Sequence, residues 1–136
     1  MKKKEYVVRF GVSMENELLE KFDRLIQQKG YTNRSEAIRD MIREKFVEEA
    51  IEKDKVCFGI FSFVYNHNKR ELEEKLTDIQ HEHFDKIIST THIHIDRDHC
   101  LEVVVMKGRA SELKKIADLA LSIKGVEHGK IVLTAI

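Results

Sequence analysis

One stretch of nine residues, His92-Ile-His-Ile-Asp-Arg-Asp-His-Cys100, most restricts how this chain can fold. Residues two apart in a β-strand point to the same face, so His92 and His94 share one face and isoleucines occupy the other. The polar segment Asp96–Asp98 predicts a turn, and the apolar run Cys100–Met106 predicts a returning strand. The stretch therefore predicts a β-hairpin.

A three-residue turn would determine which side chains meet across this hairpin. It places Cys100 opposite His94 and Glu102 opposite His92, with all four side chains on one face. Two imidazoles and a thiolate within a few ångströms supply most of a metal site with nitrogen and sulfur donors. The alternative is a hairpin with exposed histidines, but a cysteine in the matching cross-strand position favours the metal site.

Composition limits the classes of protein to consider. The 136 residues suffice for one ordinary domain or two small ones, and the net charge of zero does not by itself predict nucleic-acid binding. No apolar run approaches the roughly 18 residues needed to span a membrane. The Lys-rich start has no apolar segment behind it, which predicts no signal peptide. With only Cys57 and Cys100 present, we expect free thiols and a cytoplasmic location.

The first 51 residues predict a strand and two helices. Tyr6–Met14 alternates, with Val8, Phe10, Val12 and Met14 on one face. A lone short strand is not stable, and no other strand-like run precedes residue 56, so we expect pairing with the same strand of a second chain. A helix from residue 15 or 16 to about 29 follows and is ended by Gly30. A second helix from about 34 to 51 is predicted with Asn33 as its N-cap and Glu36 at the third position.

The strand, helix, turn and helix, with Asn-Arg-Ser-Glu at the start of the second helix, resemble the ribbon-helix-helix DNA-binding family. In that family two chains pair their strands, and the two-stranded ribbon enters the major groove. The resemblance implies that Arg9, Gly11 and Ser13 face the bases, although Gly11 has no side chain to contact them. The N–H groups of Arg34 and Ser35 would face a phosphate. A dimerisation module that never touches DNA is the alternative.

The rest of the chain predicts strand, helix, strand, strand, helix and strand, the ferredoxin-like (ACT-like) βαββαβ order. We therefore expect an α+β protein with a ribbon-helix-helix domain over residues 1–51 and a ferredoxin-like domain over residues 52–136. The predicted elements are strands at 56–65, 87–95, 100–107 and 130–136, and helices at 70–85 and 111–122.

Both helices of such a sheet lie on one face, and the sequence offers two candidate faces. We expect the helices to cover the apolar set that includes Ile93 and Leu101, leaving the face with the histidines and Cys100 open. An open face that also carries Val104 and Met106 would pack against another subunit, with the metal site at that interface. The residues expected under the helices are Ile93, Ile95, Leu101, Val103 and Val105.

The joint spacing adds a more specific resemblance. With His81 eleven residues before His92-x-His94 and Cys100 six residues after His94, the chain resembles the nickel-responsive transcriptional regulator (NikR) family over nearly its full length. The resemblance implies one square-planar Ni(II) per subunit. Its ligands would be His92, His94 and Cys100 of one subunit and His81 of a neighbour.

Other family features follow from the same resemblance. Tyr65 and Glu102 would adjoin and orient the ligands, and Glu36 and Asp40 would hold a further cation between the two domains. The family implies a homotetramer, built as a dimer of dimers, that binds a palindromic double-stranded operator and represses when nickel is bound. Alternatives are a regulator that senses a small molecule or another transition metal, and a metalloenzyme. Four protein ligands leave a planar site no vacancy, so we expect no enzyme.

Overall fold

The computed structural model describes residues 2–136, which form four helices and four strands. The chain divides into two compact units, one ending at Arg43 and the other running from Glu44 to Ile136. None of the helices in the described residues is long and apolar enough to cross a membrane. In chain order the elements are α1 (Asn16–Gln28), α2 (Arg34–Glu52), β1 (Val56–Asn66), α3 (Leu72–Glu82), β2 (Ile87–His94), β3 (His99–Arg109), α4 (Ala110–Leu121) and β4 (Val126–Thr134).

The predicted first strand is not a strand in the single chain. Residues 2–14 have no regular secondary structure, and side chains of the predicted apolar face such as Phe10 and Val12 are exposed. A strand needs a second strand to complete its hydrogen-bond ladder, and the first unit otherwise consists of helix and turn. The predicted pairing with a second chain therefore remains a prediction.

The turn between α1 and α2 follows the expected capping chemistry. Gly30 has a φ of +83°, a left-handed conformation that favours glycine, and its N–H donates to the carbonyl of Gln27. Asn33 accepts the N–H of Glu36 at 2.9 Å, which confirms the predicted N-cap. The Glu36 carboxylate accepts from Thr32 instead of closing the reciprocal half of a capping box.

The second unit confirms the βαββαβ order. Its sheet has the strand order β2-β3-β1-β4, and all neighbouring strands are antiparallel. The hairpin register is the predicted one, with His92 opposite Glu102 and His94 opposite Cys100. β4 begins at Val126 instead of residue 130, since Val126 pairs with Tyr65 beyond a register shift.

The prediction of which sheet face the helices cover is wrong. In β3 the buried residues are Cys100, Glu102, Val104, Met106 and Gly108. Three of them, Cys100, Val104 and Met106, form one core with apolar side chains of α3 and α4. The five residues expected under the helices lie on the opposite side, where Ile93 and Ile95 are exposed and the other three are partly exposed: Ile93, Ile95, Leu101, Val103 and Val105.

The residues of strand β1 explain which face of the sheet the helices cover. Its three buried aromatic residues, Phe61, Phe63 and Tyr65, pair with Val104, Glu102 and Cys100 of β3. Large aromatic side chains contribute most to core burial, so the face that carries them is the one the helices cover. The metal-donor face is therefore a helix-covered face.

A carboxylate from outside α4 caps that helix. Asp54 lies between α2 and β1, and its two oxygens accept the N–H and the hydroxyl of Ser111, both at 2.7 Å. These bonds satisfy donors at the first turn of α4 and lower the pKa of Asp54. They also attach the segment that follows α2 to the start of α4.

We expect Asp54→Ala to lower the melting temperature by a few degrees, because it leaves the first turn of α4 uncapped. Since the pKa of Asp54 is lowered in the folded chain, its contribution is present above the unfolded pKa and lost as pH falls through the folded one. The difference from the native protein should therefore shrink below about pH 4. Thermal melts at several pH values test this, with the exposed Asp118→Ala on α4 as the control. Equal melting temperatures for native protein and Asp54→Ala would contradict the cap.

Candidate metal centre

Three donor side chains meet beside the turn of the β2–β3 hairpin. Donor atoms of His92, His94 and Cys100 all lie within 4.8 Å of one another, the only such group of three among residues 2–136. Cys100 Sγ lies 3.5 Å from Nδ1 of His94. The thiol is fully buried while both histidines are exposed. The sulfur is therefore shielded from solvent, whereas the histidine side of the cluster is accessible.

Tyr65 contacts the first histidine of this cluster. Its hydroxyl lies 3.2 Å from Nδ1 of His92, and the two rings meet edge to face. Tyr65 is itself buried beneath the helices. A fixed hydrogen-bond partner sets the orientation of a ligating imidazole, and Tyr65 is placed to do this for His92.

Glu102 is a buried carboxylate on β3, directly opposite His92 in the strand pairing. It is 6% exposed and accepts a hydrogen bond of 2.5 Å from Nε2 of Gln80 on α3. Gln80 in turn accepts from the hydroxyl of Thr90 at 3.4 Å. Buried charge needs such a partner. The sequence reasoning missed Gln80, although its position next to His81 was a possible signal.

The electrostatic surroundings keep the cysteine protonated in the absence of metal. Burial raises the pKa of the Cys100 thiol, and the negative charge of Glu73 acts in the same direction. Burial also raises the pKa of Tyr65, with the charge of Glu102 as a further cause. A metal ion must therefore displace a proton from Cys100 to bind the sulfur.

The donor set suits a borderline or soft transition metal. Two imidazoles and one thiolate match zinc, nickel or copper, and do not match magnesium or calcium, which prefer oxygen. A four-coordinate ion would need one more donor. His81 of the same chain lies exposed in the last turn of α3 and is not part of the cluster.

The predicted DNA-facing residues are accessible in the first unit. Arg9, Gly11 and Ser13 are exposed, and a Cβ added to Gly11 would meet no atom within 4 Å. Nothing in the chain explains the glycine there. The guanidinium of Arg34 donates two bonds to Asp23, at 2.9 and 2.8 Å, so its side chain is engaged within the unit.

The carboxylates expected at a second cation site lie one turn apart on α2. Asp40 accepts from the Tyr31 hydroxyl at 2.8 Å and from Arg43 at 3.1 Å. Glu36 accepts from Thr32 at 3.2 Å. Both carboxylates therefore have protein donors in this structure, and a cation would compete with them.

The fold and the donor cluster together define a class: a two-unit chain whose ferredoxin-like unit carries donors for a transition metal. Comparison with family models identifies the family to which this class of protein corresponds. Residues 58–134 match the NikR C terminal nickel binding domain, and residues 8–53 match the ribbon-helix-helix protein, copG family. The chain belongs to the NikR family, which is a family of DNA-binding transcriptional regulators and not of enzymes.

Close relatives cover nearly the whole chain. Proteins named "Putative nickel-responsive regulator" from Caldanaerobacter subterraneus and Pyrococcus furiosus are both 53% identical to it. They cover 96% and 94% of this chain, and 85% and 94% of the relatives' own lengths. A relative of the same name from Geobacter sp. strain M21 is 55% identical, with coverage of 93% of this chain and 92% of the relative.

A solved structure shares its fold with more than half of this chain. An uncharacterized protein from Thermotoga maritima superposes with a TM-score of 0.53, covering 58% of this chain and 98% of its own. At 15% identity this likeness concerns the fold alone.

Proposed function

We propose that this protein is a nickel-responsive repressor that binds a palindromic DNA operator when Ni(II) occupies the cluster of His92, His94 and Cys100. The observation that carries the proposal is the meeting of two imidazoles and a buried thiol within 4.8 Å, inside the segment that matches a nickel-binding domain. Planar sites with nitrogen and sulfur donors suit Ni(II) or Cu(II). A DNA-regulatory role implies a cytoplasmic location.

The fourth ligand in this proposal is His81 of a neighbouring subunit, giving one nickel ion per subunit. Two facts support a donor from another chain: the cluster holds three donors, and His81 of the same chain is exposed outside it. An exposed imidazole at a helix end is free to meet a second copy of the sheet. Tyr65 and Glu102 would then orient ligands from behind.

Exposed apolar surfaces in both units support a homotetramer built as a dimer of dimers. In the first unit, Phe10 is 71% exposed although it belongs to the predicted apolar face of the ribbon. In the second unit, the sheet face opposite the helices exposes Ile60, Ile93 and Val132. Such surfaces mark contacts with other chains. Pairing of ribbons would form the dimers, and the second units would form the tetrameric core.

The paired ribbons would supply the contacts to DNA. Arg9 can bind guanine through two hydrogen bonds, and Ser13 can bind several base edges. Gly11 would bring the backbone, without a side chain, close to the middle of each half-site. The N–H groups of Arg34 and Ser35 at the start of α2 would bind a phosphate. The two-fold symmetry of the ribbon implies a palindromic operator.

Nickel would act by favouring one arrangement of the subunits. An ion held by three donors of one chain and one of another links the two, and it stabilises only those arrangements in which the four donors meet. The ion can change DNA affinity only through its different affinity for the two arrangements.

Nickel loading followed by absorption spectroscopy and native mass spectrometry tests the site. We expect a thiolate-to-nickel absorption band and a mass of four subunits with four nickel ions. A nickel complex without that band, or a protein that stays dimeric, would contradict the proposed centre.

The raised pKa of Cys100 predicts how nickel affinity depends on pH. Between about pH 7 and about pH 8.5 the thiol still holds its proton, so each nickel ion displaces one proton from Cys100. The apparent affinity should rise about tenfold per pH unit in this range. Competition titrations with a chelator of known proton affinity measure this slope. A flat profile would mean that the thiol is not a ligand.

A further inference from the structure

The turn that joins two of the proposed ligands is held by hydrogen bonds within it and by contacts from outside it. Residues 96–98 connect His94 to Cys100, and the Asp96 carboxylate closes the turn by accepting the N–H groups of Asp98 at 2.8 Å and His99 at 2.9 Å. These bonds lie within the turn. Two other segments of the second unit add contacts from outside it.

The first of these segments is the loop between β1 and α3. Nδ2 of Asn68 donates to Oδ1 of Asp98 at 2.6 Å, and the N–H of His67 donates to the carbonyl of Asp98 at 3.0 Å. The ring of His67 also contacts the turn, with Nε2 at 2.6 Å from the carbonyl of Arg97. One side of the turn is therefore attached to the loop.

The second segment is the start of β4. Oε1 of Glu127 lies 3.2 Å from Nε2 of His99, whose Nδ1 lies 2.9 Å from Asp96. The His99 ring thus spans two carboxylates, one in the turn and one in β4. His99 directly precedes Cys100, so this contact restrains the backbone next to the proposed sulfur ligand.

We infer that Asn68 and Glu127 are positioning residues for the metal centre. They hold the turn from both sides, and the turn sets the distance of 3.5 Å between His94 Nδ1 and Cys100 Sγ. Neither residue belongs to the ligand set or forms a hydrogen bond to it, so their effect passes through the turn. This inference rests on the proposed nickel function. Donors that are held in place before binding lose less conformational entropy when the ion binds.

The same reasoning assigns them a part in metal selectivity. Ni(II) with nitrogen and sulfur donors has a preferred geometry, whereas Zn(II) has none that arises from its d-electrons. A loosened turn should therefore weaken nickel binding more than zinc binding.

The variants that test this are Asn68→Ala and Glu127→Ala, with Asp118→Ala as a control at an exposed carboxylate of α4. Chelator competition gives the nickel and zinc affinities of the full-length protein, and thermal melts report folding. Amide hydrogen exchange of a peptide spanning the turn, measured on the metal-free protein, reports whether the turn is held. That measurement needs no metal.

We expect both variants to fold, to exchange faster in the turn and to lose about 10–100-fold in nickel affinity, with a smaller loss for zinc. Unchanged exchange, an unchanged nickel affinity, or equal losses for both metals would overturn the inference. If the native protein bound no nickel through Cys100, the proposed function would fail, while the exchange measurement would still decide whether Asn68 and Glu127 hold the turn.

Discussion

Cys100→Ser should lower the nickel affinity on the order of a thousandfold, the largest effect we expect from a single substitution. A serine hydroxyl keeps its proton near neutral pH, so it offers nickel no anionic donor, and the soft sulfur is lost. Serine has the shape of cysteine and is slightly smaller, so the fold should persist. Cys57→Ser is the matched control, because it makes the same exchange at an equally buried position outside the cluster. Equal nickel affinity for Cys100→Ser and the control would contradict the site.

A mixing experiment separates a donor in the same chain from one in a neighbour. His81→Ala and Cys100→Ser should each lack high-affinity nickel sites when purified alone. In tetramers co-assembled from both variants, about a quarter of the sites would combine an intact His81 with an intact Cys100 from different chains. Recovery of these sites supports the shared centre. If mixing restored none, the fourth ligand would not be His81 of a neighbour.

The hairpin at the metal cluster could be predicted in detail because the residues that determine its register are close together in the sequence. A polar segment of three residues between two alternating runs fixes the register, and the structure pairs His94 with Cys100 as expected. The capping of α2 by Asn33 is local in the same way. In both cases, neighbours in the sequence decide the geometry.

The covered face of the sheet could not be predicted because it depends on a strand distant in sequence. Each face of β3 carries three apolar residues between residues 100 and 106, so β3 alone does not decide which face is covered. The decision comes from β1, whose Phe63 and Tyr65 pair with Glu102 and Cys100 across some 40 residues of chain. A charged residue on the chosen face is tolerated since Gln80 of α3 donates to Glu102.

The pairing of the ribbon and the fourth ligand cannot be tested on a single chain, because each prediction involves a second chain. Residues 2–14 have no regular structure in the single chain, and a strand that pairs with its own copy would have no hydrogen-bond ladder there. The role of His81 likewise depends on a neighbour and cannot be read from contacts within the chain. Both follow from the family resemblance and remain predictions.

Removal of nickel should lower the affinity for operator DNA by about 5–150-fold, the usual range of coupling between two sites. In the proposed mechanism, the reason is that nickel stabilises the subunit arrangement in which both ribbons reach their half-sites. Arg9→Ala is a control that should affect DNA binding alone. It should weaken DNA binding by roughly 10–100-fold and leave nickel binding unchanged, because it removes a proposed base contact and not a metal ligand.

The most direct test is DNA binding with and without nickel at a fixed salt concentration, since salt alone changes such affinities strongly. Duplexes selected by the nickel-loaded protein from a random-sequence pool can serve as operator. Titration of these duplexes with the nickel-loaded native protein should give tight binding that falls when a chelator removes the metal. Cys100→Ser should bind them weakly under both conditions. Equal affinity of the native protein for the selected duplexes with nickel and with chelator would contradict a nickel-dependent repressor.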